Sequence, residues 1–396
     1  MTSMHDSMAP TPRREDILSR MTIFLFSVAL GMATVAVPLV AAAAGYQLGA
    51  VGFLIGVSAI TQIIARAGMG ALMDHLSTRT FILAALILLA SSCLILGVTD
   101  ELWAFIVSQL LQGAARAYFF TGMQTHVVRS TRPAVSALAV MNVTNGIGLL
   151  LGPLLAGIIG ASSLTLALFI AAGIAGSAVL SCAFLIRYEP FVKPPTVPAE
   201  RTVPVWRRPD VTTAGWMGAT AGAWRGILNS YLPILLTEAG HSIPVAGAMM
   251  TLANLAALAG SAVAGPVRRT GVRASAALGT VLAVAGVASM AFLTPHLVLA
   301  GAFLFISGVG AGILQTLGPA LATEAVGLEE RGRAIASIGT FRAVSLLVTP
   351  MGIGALIFVV PSAVLATAVV AVAVGIPAIS MAARGGSADT DKRKPV

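Results

Sequence analysis

The chain has 396 residues, of which 57% are hydrophobic and only 10% charged, and its mean hydropathy is +0.93. This composition excludes an ordinary soluble domain and predicts an all-α protein that crosses a lipid bilayer many times. The net charge of +9 does not indicate nucleic-acid binding, because the basic residues punctuate apolar segments instead of clustering with aromatic residues on a polar face.

Twelve apolar segments are long enough to cross about 30 Å of hydrocarbon. We number them spans 1 to 12: 21–44, 48–73, 80–98, 102–128, 134–159, 163–186, 211–236, 244–266, 274–294, 297–325, 334–358 and 361–383. Repeated prolines and charges between spans 6 and 7 are typical of an extended linker. The predicted domains are a tail over 1–20, a six-helix bundle over 21–186, the linker over 187–210, a second bundle over 211–383 and a tail over 384–396.

The positions of Lys and Arg predict the orientation of the chain. The connections that follow odd-numbered spans contain neither residue, and every Lys and Arg outside the spans lies on the side shared by the two termini. Basic residues favour the cytoplasmic side of a membrane. Both termini, both tails and the linker are therefore predicted to be cytoplasmic.

A short polar turn from Gly70 to Arg79 separates spans 2 and 3. Gly70 permits close helix packing, Asp74 supplies a charge at a helix end, and Arg79 opens the next helix. This pattern resembles the loop signature of the major facilitator superfamily of secondary transporters, with His75 and Ser77 where that family usually has Arg and Gly. The resemblance implies a latch in which Asp74 meets the start of span 11 and pairs with Arg129.

The two halves of the chain also resemble each other. A shift of about 195 residues brings Pro38 onto Pro233 and Gly52 onto Gly247, and a shift of about 197 brings Pro153 onto Pro350. The predicted architecture is therefore twelve transmembrane helices in two parallel six-helix repeats, an arrangement known in transporters, with the substrate site between them near the midplane.

Span 5 carries a run from Gly148 to Gly157 in which Gly152 precedes Pro153. The small residues give a thin helix face, and the proline bends the helix. The run resembles the antiporter signature of superfamily exporters, with Ala156 replacing a glycine, and it favours efflux. The candidate gating residues are Gly70, Asp74, Arg79, Arg129, Gly148, Gly152, Pro153 and Gly157.

Four arginines lie inside predicted spans, namely Arg66, Arg116, Arg225 and Arg342, and no Asp or Glu lies at comparable depth. An arginine at the bilayer centre costs about 2.5–3.5 kcal/mol unless it is paired or hydrated. Either these side chains bond to backbone carbonyls, Gln and Asn, or they face a water-filled cavity and attract a carboxylate or phosphate. The resemblance implies that spans 1, 4, 7 and 10 line that cavity. The candidate substrate-binding residues are Arg116, Arg225, Gln109, Gln112, Asn142, Asn145, Asn229, Gln315 and Arg342.

Proton coupling needs a group that titrates, and His126 and Glu324 are the candidates. The resemblance implies a bacterial cytoplasmic (inner) membrane transporter that exports a small organic compound, whether drug-like, a metabolite or an organic anion, in exchange for protons by alternating access. Uptake of an organic anion, by proton symport or facilitated transport, and a transporter-like sensor are the alternatives. No enzyme activity, cofactor, metal or nucleic-acid partner is predicted; the partners are the substrate, protons and lipid, and we expect a monomer.

Overall fold

The computed structural model describes residues 12–73, 75–129, 134–188, 204–327, 330–360 and 362–391. Over these residues the protein is helical, with a short 3₁₀ turn at Val205–Arg207. The thirteen described helices are α1 (Pro12–Ala43), α2 (Leu48–Met73), α3 (Thr78–Val98), α4 (Leu102–Val128), α5 (Ala134–Gly160), α6 (Leu164–Ala183), α7 (Pro209–Ser230), α8 (Leu232–Glu238), α9 (Ile243–Arg268), α10 (Val272–Phe292), α11 (Leu297–Glu324), α12 (Arg331–Val359) and α13 (Ala363–Asp391).

The predicted span 7 is divided between α7 and α8. The chain bends at Tyr231, two residues before Pro233, whose missing N–H leaves the carbonyl of Asn229 without its helical donor. Ten of the described helices are long and apolar enough to cross a membrane, and α4 and α7 are not among them. Their lower hydropathy comes from polar side chains at mid-helix, and these include candidate site residues.

The first helix begins earlier than predicted. Pro12 opens α1, so residues 12–20 continue the helix instead of forming a polar tail. Pro is favoured in the first turn of a helix, and Asp16 and Arg20 form an i,i+4 ion pair at 2.8 Å on this extension. At the other end of the chain α13 continues to Asp391, beyond the predicted limit at 383.

The predicted parallel repeat is confirmed. In the first half (α1–α6) α1 packs against α5, and in the second half (α7–α13) α7 packs against α12. A methyl group on Gly31 of α1 would lie 2.9 Å from the Cδ of Pro153, and one on Gly226 of α7 would lie 3.3 Å from that of Pro350. Shifts of 195 and 197 residues relate the two pairs, so both halves use the same contact.

Two helix pairs provide most of the contact between the halves, α2 with α12 and α5 with α9. We call the face that carries Pro12 and Asp391 proximal and the opposite face distal. In the distal half Gly52 of α2 lies on the carbonyl of Pro350, and Gly247 of α9 lies on the carbonyl of Pro153. A Cβ at either glycine would overlap that oxygen, so glycine permits the approach. We call these two repeat-related contacts the distal seal.

Tyr231 adds an unsymmetrical element to the distal seal. Its hydroxyl lies 3.3 Å from the carbonyl oxygen of Leu48 in the other half and 3.4 Å from that of Pro350. The side chain is fully buried, and a methyl group on Gly52 would overlap its hydroxyl. The repeat partner of Tyr231 is Ala36, so the α5–α9 side has no equivalent bond.

The interface between the halves loosens toward the proximal face. A methyl group on Gly146 of α5 would meet its nearest neighbour, Leu258, at 3.7 Å, and one on Gly68 of α2 or Gly265 of α9 would meet nothing within 4 Å. Near the proximal face these glycines therefore lack the close contacts that form the distal seal.

Candidate functional site

A row of polar side chains crosses α4 at mid-height. Gln109 and Gln112 are each 2% exposed, and Arg116 is partly buried. The Nη2 of Arg116 donates to the Oε1 of Gln112 at 2.9 Å. Among the described residues, neither the Nε2 atoms of the two glutamines nor the Nε of Arg116 has a hydrogen-bond partner. Because buried polar groups almost always bond to something, these donors mark a surface for water or substrate.

Arg225 of α7 faces the same region from the second half. Its Cζ lies 5.1 Å from the centre of the Trp224 ring, and its Nη1 donates to the Oδ1 of Asn254 on α9. The indole is held by a 3.1 Å hydrogen bond from Nε1 to the Oγ of Ser307 on α11. The charges of Arg116 and Arg342 both act on Arg225, so the three guanidinium groups form one electropositive cluster.

Arg342 of α12 completes the cluster. It packs against Gly222 of α7, where a methyl group would lie 3.0 Å from the arginine Cγ. The repeat partners of these residues are Ser27 and Asn145, and there the serine Oγ donates to the Asn145 Oδ1 at 2.8 Å. The second half thus replaces a helix–helix hydrogen bond with a guanidinium group, for which Gly222 leaves room. The charge of Arg66 acts on Arg342 in turn.

Within the described parts of the chain, none of these four arginines forms an ion pair with a carboxylate. The remaining candidates are dispersed around the cluster. Asn142 and Gln315 are exposed, and Asn145 accepts a hydrogen bond from Ser27. Asn229 is 9% exposed, and its Oδ1 has no hydrogen-bond partner in the described part of the chain. The arrangement offers several donors and an excess of positive charge, which suits a carboxylate or phosphate.

The glycines of the α5 run face two different neighbours. Gly148 and Gly152 lie against α1, where a methyl group on Gly148 would be 2.5 Å from the Cβ of Ser27. Gly157 lies against α9, where a methyl group would be 3.1 Å from the Cα of Gly247. The same run therefore binds α5 to its own half and to the other half.

Of the predicted latch, Asp74 lies outside the described residues and Gly70 lies in the last turn of α2. The Nη1 of Arg79 donates to the carbonyl of Leu185 at 3.2 Å, and the Cζ of Arg129 lies 5.0 Å from the centre of the Tyr188 ring. Both described cations thus contact the segment that follows α6.

His126 belongs to a buried polar cluster at the proximal end of the first half. Its Nε2 lies 2.6 Å from the Oε1 of Glu15, and its Nδ1 lies 3.0 Å from the Oγ1 of Thr78. Glu15 is 3% exposed and also accepts the N–H of Ile186 at 3.1 Å. Burial raises the pKa of the nearby Tyr188, with the Glu15 charge adding to the rise and Arg129 opposing it. Glu324, by contrast, is exposed and forms a bidentate ion pair with Arg268.

Comparison with known proteins decides the family. The model of the Major Facilitator Superfamily matches residues 21–224 and 214–395, which together span nearly the whole chain. The chain belongs to the major facilitator superfamily. It is a transporter and not an enzyme, and the predicted fold is confirmed. No curated protein matches its sequence.

Solved transporters share the fold at low identity. The nucleoside transporter NupG has a TM-score of 0.74 and 13% identity, covering 93% of this chain and 98% of NupG. A bacterial homolog of the human lysosomal transporter Spinster, inward-facing and unoccupied, has a TM-score of 0.71 and 13% identity, covering 95% of this chain and 96% of the homolog.

Two functional candidates of this superfamily transporter were not predicted from the sequence. Glu15 stands in a segment predicted to be a tail, although its place in the first turn of a proline-opened helix was a usable signal. Tyr231 lies at the break between α7 and α8, and only the packing of the two halves shows which backbone carbonyls its hydroxyl reaches.

Proposed function

We propose that this transporter exports a small organic anion, drug-like or a metabolite, by alternating access in exchange for protons. The observation that carries the proposal is the cluster of Arg116, Arg225 and Arg342, which no carboxylate among the described residues neutralises. An unpaired guanidinium at mid-membrane is costly, and an anionic substrate removes that cost.

The direction of transport rests on the α5 run. Gly157 and Pro153 support the distal seal while Gly148 and Gly152 hold α5 to α1, so one helix combines a rigid attachment with a contact that must break during transport. Its resemblance to the exporter signature favours efflux. Uptake of the same anion is the second candidate, because the arginine cluster recognises charge without fixing direction.

Of the two proton-coupling candidates, we favour His126 over Glu324. His126 and Glu15 form a buried acid–base pair, whereas Glu324 is engaged by Arg268 at the surface. We infer that protons couple either through the Glu15–His126 pair or through the acid group of the substrate itself. The basic residues of the proximal face support placing both termini in the cytoplasm of a bacterial cell.

Transport into proteoliposomes tests the proposal. A panel of radiolabelled aromatic carboxylates, phosphate esters and neutral analogues is offered under an imposed pH gradient to the wild type, Arg116→Gln and Arg225→Gln. We expect pH-driven transport of anions only, and at least about tenfold slower transport in both variants, because each loses a charge-assisted bond. Glu101→Gln, at an exposed position just before α4, serves as a control for altered charge. Equal rates in wild type and both arginine variants would exclude the anion site.

A further inference from the structure

A chain of hydrogen bonds runs from the arginine cluster to the opposite half of the protein. Arg225 donates to the Oδ1 of Asn254, and the Nδ2 of Asn254 donates to the carbonyl of Leu149 on α5 at 2.9 Å. Asn254 is only 8% exposed, so both hydrogen bonds are largely shielded from solvent. Arg225 and Asn254 belong to the second half, and Leu149 belongs to the first.

The carbonyl of Leu149 is free for this bond for a definite reason. In a regular helix it would accept the N–H of residue 153, but Pro153 has no N–H. A carbonyl left without a donor in the membrane is costly, and Asn254 supplies the donor from across the interface. The repeat partner of Asn254 is Ala59, so the α2–α12 side of the seal has no corresponding amide.

We infer that Asn254 is a positioning residue that links anion binding at Arg225 to the distal seal, an inference that rests on the proposed function. Arg225 holds the amide by its oxygen and thereby directs the amide nitrogen at Leu149. An anion that binds the guanidinium competes with the Asn254 oxygen for the same donor. The amide is then released, Leu149 loses its partner, and the contact between α5 and α9 weakens. Substrate entering from the proximal face would in this way favour distal opening.

A double-mutant cycle without any transported compound tests the link. Spin labels at Ser162→Cys and Ser242→Cys, both exposed at the distal ends of α5 and α9, report the closed and open populations by pulsed electron resonance. The native Cys93 and Cys182 are fully buried and need no replacement. The variants are Asn254→Ala, Arg225→Met and their combination. Thr251→Ala is the control, since its Oγ1 donates at 2.8 Å to Leu150 without touching Arg225.

We expect Asn254→Ala to lower the closed-to-open ratio about fivefold, the usual effect of one lost hydrogen bond. Arg225→Met should lower the ratio by a similar factor, and the double variant of Asn254→Ala and Arg225→Met should lower it no further. The effects of Thr251→Ala and Arg225→Met should instead be independent, so that their two factors multiply. The isosteric Asn254→Asp keeps the acceptor and loses the donor, so at pH 8 it should also open the seal. It replaces Asn254→Ala in the cycle if that variant does not fold.

Independent effects of Asn254 and Arg225, or an unchanged ratio in the Asn254 variants, would overturn the inference. These measurements use no substrate, so a failure of this inference can be distinguished from a failure of the proposed anion transport, which the Arg225 variants test.

Discussion

At the scale of single residues, the distal seal depends on the absence of a side chain at two positions. Gly52 and Gly247 have no Cβ, and each therefore approaches a proline carbonyl of the opposite half. Sequence comparison of the halves already pairs these glycines and prolines, but it assigns them no contact. To predict the contact, one must know that each glycine meets the proline of the other half and not the proline of its own half. Only the assembled bundle shows this.

Gly52→Val should open the distal face. The added atoms would overlap the Tyr231 hydroxyl and the Pro350 carbonyl, and such overpacking costs about 1–3 kcal/mol. The closed-to-open ratio, measured with the Ser162→Cys and Ser242→Cys labels, should fall about five- to 160-fold, which is the same free energy expressed as a ratio. Gly68→Val on the same helix is the matched control, since a methyl group there meets nothing within 4 Å. Equal effects of the two variants would contradict this account of the seal.

At the scale of elements, both ends of the linker are fastened to the proximal face. At its start, the N–H of Ile186 reaches the buried Glu15 carboxylate. At its end, the two Nη atoms of Arg208 donate to the Glu330 carboxylate at 2.7 and 3.0 Å, just before α12 begins. The composition of 187–210 predicts an extended segment, but composition carries no information about partners so distant along the chain.

The Arg208–Glu330 pair should make stability depend on pH in acid. The hydrogen bond from Arg208 lowers the pKa of Glu330 below its usual 4.5. The ion pair therefore stabilises the folded protein fully above pH 4.5, and this stabilisation disappears as the pH falls through the lower pKa of Glu330 in the folded state. The melting temperature of Glu330→Gln in detergent should lie below that of the wild type at about pH 7, and the difference should shrink toward about pH 3.

Glu101→Gln is the control for that measurement, because Glu101 is exposed and forms no ion pair with a described residue. A melting-temperature difference for Glu330→Gln that stays constant over that pH range would show that the lost carboxylate charge is not the cause.

At the scale of the whole molecule, the two halves are built on one plan but carry their buried arginines at different positions. Sequence periodicity predicts the spans and the repeat because apolar length and glycine–proline spacing are local properties. The cavity arginines are also visible, as rare charges in apolar helices. The contacts of these arginines cannot be predicted from the sequence. The space beside Arg342 comes from Gly222 on another helix, and the partner of Arg225 comes from a third helix.

The distal seal predicts which residues an impermeant maleimide reaches. Asn142→Cys and Gln315→Cys, exposed in the proximal halves of α5 and α11, should be modified in inverted membrane vesicles and protected in intact cells. Ser162→Cys at the distal end should show the reverse pattern and serves as the matched control. Modification of all three cysteines in intact cells would contradict either the closed distal face or the proposed orientation.

The distal seal has a consequence for the influence of salt. The ion pairs formed among the described residues, from Asp16–Arg20 to Arg268–Glu324, lie at the proximal end, whereas the seal consists of uncharged glycine, proline and tyrosine contacts. Salt screens exposed charges over about 8 Å at physiological ionic strength and leaves contacts between neutral groups almost untouched. Changes in ionic strength therefore act on the fastening of the linker and proximal loops, while the barrier at the other face keeps its strength.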